Sequence, residues 1–114
     1  MNVNVNVEVA VMSDLFKDEA IAEYVSSNDI IAVFEARWER DHYEQHHYHG
    51  SQQHWYWELK DTVLLELRLN GTVLKLDAEV PNDFPMSEVL AAMMRREVRN
   101  EIELVGPKAR RITQ

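Results

Sequence analysis

The run TVLLELRLNGTVLKLDAEV (residues 62–80) restricts the chain to few folds. Asn70-Gly71 stands between two apolar-rich segments, and a two-residue type I′ turn needs positive φ at both central positions, which Asn and Gly tolerate best. Such a turn sets the register. It places Leu67 opposite Leu74, Leu65 opposite Leu76 and Val63 opposite Ala78 on one face, with Glu66 opposite Lys75 as an opposite-charge pair on the other. A hairpin with one apolar face is marginal alone and has to be covered.

The first residues supply another strand of the same kind. In NVNVNVEVAV, Val3, Val5, Val7, Val9 and Val11 share one face, while Asn2, Asn4, Asn6, Glu8 and Ala10 share the other. The next segment reads as a helix capped by Ser13 or Asp14, with Phe16, Ala20, Ile21, Tyr24 and Val25 on one face. Ser26 to Asn28 reads as a break. Beyond it, Ile30, Ile31, Phe34 and Trp38 repeat at helical spacing, and no Gly or Pro intervenes before Gly50, so one long helix is expected over 29–49. HWYWEL alternates Trp55, Trp57 and Leu59 against Tyr56 and Glu58, as a strand does. A last helix from Met86 or Ser87 to about Asn100 would turn Met86, Val89, Leu90, Met93 and Met94 inward, with Ser87 as its cap, and EIELV would add a short strand.

The expected order is therefore β-α-α-β-β-β-α. The fold class that follows is α+β: an antiparallel sheet, made of the N-terminal strand and a hairpin meander through the Asn70-Gly71 turn, packed as a two-layer sandwich against two or three helices. Residues 1–105 form a single domain, and 106–114 read as a basic, flexible C-terminal tail.

Composition then narrows the chemistry. The 114 residues contain no cysteine, which excludes disulfides, thiolate metal sites and cysteine nucleophiles. No apolar run approaches the ~20 residues a membrane helix needs, and MNVNVNVEVAVMSD lacks the basic start and apolar stretch of a signal peptide, so a soluble, cytoplasmic protein with no membrane contact is expected. The three glycines form no phosphate-binding loop, the five serines sit in no nucleophile elbow, and no enzymatic activity is expected. Glu58-Leu59-Lys60 matches half of a metal-dependent nuclease core but lacks the neighbouring-strand aspartate, since Asp41 falls on an expected helix.

The stretch DHYEQHHYHGSQQHWYW (residues 41–57) holds all five histidines and five of the ten aromatic residues. On a helix reaching Gly50, His42, His46 and His49 would share a face, a geometric basis for zinc, copper or nickel, with His54, Asp41 or Glu44 completing the set. The plainer account is a histidine-rich helix end, and no cofactor is then required. Trp55 and Trp57 are expected in the core. The aromatic rings could stack on bases, but no Lys or Arg occurs between Arg40 and Lys60 to hold the phosphates.

Net charge is −8, divided as −11 over residues 1–94 and +3 over 95–114. The leading expectation is a small, acidic, non-enzymatic interaction protein that binds another macromolecule. Asp14, Asp18, Glu19, Glu23, Glu35 and Glu39 on helix faces would meet a basic partner such as the cleft of a nucleic-acid enzyme, with Tyr43, Tyr48 and Tyr56 as anchors. Inhibitors and accessory proteins of phages and mobile elements share this build, an argument by association. One alternative is a nucleic-acid-binding module using Arg95, Arg96, Arg99, Lys108, Arg110 and Arg111, and the other is the metal protein just described. The first strand carries no Lys or Pro to guard its edge, which points to a homo-oligomer, a dimer in its simplest form.

Overall fold

The computed structural model describes residues 2–74 and 80–107. The chain forms β1 (Asn2–Ala10), a 3₁₀ turn (Ser13–Leu15), α1 (Glu19–Ser27), β2 (Ile30–His47), β3 (Gly50–Leu69), β4 (Thr72–Leu74), α2 (Met86–Met93) and α3 (Arg96–Val105). The four strands make one antiparallel sheet in the order β1-β2-β3-β4, and the fold is α+β, as expected.

One side of the sheet is the core. Val3, Val5, Val7 and Val9 of β1 are buried there, beside the even-numbered residues of β2 from Ile30 to Trp38 and beside Leu59, Leu67 and Leu74. Helices supply the cover through Val25, Val89, Ala92, Met93, Val98 and Ile102. Tyr24 and Phe84 lock α1 to the segment before α2, with ring centroids 6.1 Å apart and nearly perpendicular. The opposite side of the sheet is polar and carries an ionic lattice. Val33 is buried on that side, flanked in the ladder by Glu8 and Glu66. Both carboxylates reach Arg68, at 2.8 and 3.3 Å.

The Asn70-Gly71 turn forms as its chemistry requires, with φ of 49° and 85° and Leu67 paired with Leu74. Leu76, Ala78 and Lys75, the other hairpin partners expected, lie outside the described residues. Asn70 does more than tolerate the turn. Its N–H donates to the Asp29 carbonyl (2.7 Å), its Oδ1 accepts from the Asp29 N–H (2.8 Å), and its Nδ2 donates to Asn28 Oδ1 (3.0 Å). Asn70→Ala removes two side-chain hydrogen bonds and leaves a Cβ residue less suited to positive φ, so a loss of about 2–3 kcal/mol is expected in urea unfolding. A loss below about 0.5 kcal/mol would show the turn to be incidental.

Several local expectations are corrected. Residues 29–49 form no helix; 30–47 are strand β2, because Ile30, Ala32, Phe34, Ala36 and Trp38 alternate into the core. Helix α1 starts at Glu19, capped by Asp18, whose Oδ1 accepts from the Ile21 N–H at 3.1 Å. The C-terminal helix is two helices broken at Met94-Arg95, so Met94 lies exposed at the break instead of inside. Ser87 makes no cap, as Pro85 takes that place, and EIELV is the end of α3 rather than a strand.

Strand β3 carries two irregularities. Val33 pairs with Glu66 but Phe34 with Leu64, and Arg37 pairs with Asp61 but Trp38 with Leu59. Leu65 and Lys60 are thus extra residues, bulges that add twist and bend to the strand. Leu65 and Val63, both expected inside, are exposed for this reason: one is a bulge residue and the other points to the polar side.

Candidate functional site

The pairing of β1 ends at Asn2↔Glu39, but β2 and β3 continue together for another eight residue pairs, from Arg40↔Trp57 to His47↔Gly50. At ~3.3 Å per residue this gives a two-stranded arm of roughly 26 Å beyond the sheet that supports it. The molecule is accordingly long, 65 × 34 × 18 Å, with a radius of gyration of 18.2 Å; a compact domain of this size has about 13 Å. The core ends at Trp38 and Leu59, where the arm begins.

An isolated ribbon holds together through cross-strand side-chain pairs, each worth roughly 0.2–1 kcal/mol. On the face that continues the helix-covered side, His42 lies 4.7 Å from the ring of its cross-strand partner Trp55, and the Arg40 guanidinium sits 4.8 Å from the same ring. On the other face Tyr43 stacks on its partner His54 at 5.0 Å and reaches Tyr56 at 6.1 Å. Desolvation, and after it the charges of Asp41 and Glu58, push the Tyr56 phenol above its usual range. Tyr48 and His49 form the tip, and Gly50, with φ 137°, takes a conformation that few side chains permit.

The arm is therefore aromatic on both faces and at its tip. Tyr43, Tyr48 and Tyr56, the expected anchors, are all exposed, Tyr48 at 97 %. Trp55 is 53 % exposed, correcting its expected burial, whereas Trp57 packs half-buried against the core.

The strand also removes the geometry proposed for a metal. His42 and His46 share a face of β2, but they stand four positions apart along the strand, roughly 13 Å. His49 lies in the turn, and His54 is on the opposite face against Tyr43. Among the described residues no group of three or more His, Asp or Glu could hold a metal ion. Asp41 turns out to be on a strand beside β3, yet it faces Tyr56, while Glu58 holds the Lys60 ammonium at 3.1 Å.

The remaining candidates are scattered. Glu35 and Glu39 sit on the polar sheet face and not on a helix; Glu35 pairs with Arg37 at 3.0 Å. Asp14, Asp18, Glu19 and Glu23 lie with the 3₁₀ turn and α1, so the six carboxylates form no single surface. Of the basic set, Arg95 donates to the Leu15 carbonyl, and Arg99 donates to the Leu59 carbonyl (2.9 Å) and pairs with Glu103 (3.4 Å). Two of the arginines meant for phosphate are thus already engaged, and Lys108, Arg110 and Arg111 lie outside the described residues. No helix among them is long and apolar enough to cross a membrane. The arm is the feature that sequence reasoning missed, although HHYHG between two aromatic-rich segments marks its tip. Compared with protein-family models, curated proteins and solved structures, the chain matches none.

Proposed function

We propose that this is a non-catalytic binding protein that engages another protein through its aromatic arm. One observation carries the reading: eight residue pairs project past the body with Tyr43, Tyr48, Trp55 and Tyr56 exposed. Exposed aromatic surface of this kind forgoes part of the about 1.5–3 kcal/mol that full burial of a large apolar side chain gives, and contiguous patches of it mark contact sites. Tyr and Trp are also the residues that most often dominate binding energy. The partner surface that suits the arm is apolar at its centre and basic around it, because the arm has Asp41 and Glu44 and the whole chain carries −8. An enzyme that handles nucleic acid offers such a surface. Direct binding of nucleic acid fits less well, since the arm's one cation, Arg40, is occupied by Trp55. The outer edge of β1, which no other strand pairs among the described residues, also suits the body to self-association.

The test is to recover partners with the wild-type chain, reconstitute the strongest from purified components, and measure Kd for Tyr48→Ala and Trp55→Ala. Each should weaken binding by about 2 kcal/mol, roughly thirtyfold, with the fold intact. A Kd unchanged by both substitutions would remove the arm from the interface.

A further inference from the structure

We infer that the chain forms a two-fold dimer through β1, in one register. In the antiparallel ladder the Val11 N–H donates to the Ile30 carbonyl, so the odd-numbered residues of β1 direct their backbone groups toward β2. The β1–β2 register runs from Asn2 to Ala10 without a bulge, so Asn2, Asn4, Asn6, Glu8 and Ala10 direct theirs outward along the sheet edge. Among the described residues no strand pairs on that side.

Edges left open in monomers are guarded by lysine, proline, a bulge or an inward-pointing charge. This one has none of the first three. Its one charge, Glu8, leans across Val33 to Arg68 at 2.8 Å, so it is paired within its own sheet.

The occupant that fits is a second copy. A two-fold axis through Asn6 pairs β1 with itself in antiparallel fashion, and residue numbers opposite one another then add to twelve. This register uses all nine residues and matches outward backbone groups with outward backbone groups. Val3 meets Val9 of the copy and Val5 meets Val7, on the helix-covered face. On the polar face Glu8 meets the Asn4 amide, so no like charges oppose, and Asn6 meets Asn6. The Asn6 Oδ1, buried and without a hydrogen-bond partner in the single chain, gains an amide donor there.

Helix α3 adds a second contact. Glu97 and Glu101 line a cavity with Val9 and Ala10, which places that stripe of α3 toward β1. Leu104 lies on the same stripe, 87 % exposed, with Val105 beside it. The dimer continues the sheet to eight strands with both helical layers on one side, where the two α3 helices flank the axis.

Because the chain has no cysteine, single substitutions give an unambiguous test. In this register Asn6→Cys faces its own copy at a separation suited to a disulfide, whereas Asn4→Cys is displaced from its copy by four residues. The wild type should sediment at twice the 13.4 kDa chain mass. Asn6→Cys should cross-link at least about tenfold faster than Asn4→Cys. Asn6→Lys, which opposes two ammonium groups at the axis, should yield a folded monomer by circular dichroism, and mixing it with Asn6→Glu should restore the dimer. A wild-type monomer at all concentrations overturns the inference. So does a dimer that survives Asn6→Lys and cross-links no faster at Asn6 than at Asn4, which would place the interface elsewhere, the arm included.

Discussion

Trp38→Ala is expected to lower the free energy of unfolding by about 3–5 kcal/mol, a large fraction of the ~5–15 kcal/mol a domain has. Trp38 is the last core side chain of β2, buried between the Val3 and Leu59 positions of the flanking strands. Its removal opens a cavity at the end of the sheet that the β1 and β3 backbones, held in their ladders, cannot close. Trp38→Phe should cost much less, about 1–2 kcal/mol. The indole N–H is buried without a hydrogen-bond partner, so deleting it relieves a desolvated donor while most of the ring volume stays. Urea unfolding of both variants checks the pair. A loss under about 1 kcal/mol for the alanine variant would show that the end of the core is loosely packed.

Excising the arm is expected to have the opposite profile: complete loss of partner binding with little change in stability. Joining Arg40 to Trp57 through Asn-Gly keeps the pair that starts the arm and replaces the rest by a favoured two-residue turn. No buried hydrophobic residue lies between Trp38 and Leu59, so unfolding free energy should change by less than about 1 kcal/mol. The sedimentation coefficient should rise toward that of a compact body. A variant that fails to fold would make the arm part of the cooperative unit, and one that still binds the partner would end the functional reading.

What could be read from the sequence, and what could not, follows from periodicity. In β1 the alternation is unbroken, so strand and buried face were legible together, and the Asn70-Gly71 turn was legible because its φ requirement admits few residues. Strand β2 reads as a helix in the sequence for a definite reason. Ile30, Phe34 and Trp38 are spaced by four, which slightly exceeds a helical turn of about 3.6 residues and is also an even number. The intervening Ala32 and Ala36 carry too little side chain to settle the choice. A helical reading of that strand gives the histidines a common face that the strand does not, and it hides the arm. The burial of β3 was obscured by the jumps Leu59 to Thr62 and Leu64 to Leu67, each a bulge that breaks a period of two.

Those bulges also separate two properties of the arm that are usually tied together. Its chemistry is written in residues 40–57, but its direction is set where Lys60 and Leu65 bend β3. Deleting Lys60 would return that position to a regular ladder and leave every arm side chain on its present face, while swinging the whole arm about its root. A partner touching both arm and body thus reads an angle as well as a set of rings. Losing that one residue would change the angle at which the rings are presented and none of the rings themselves.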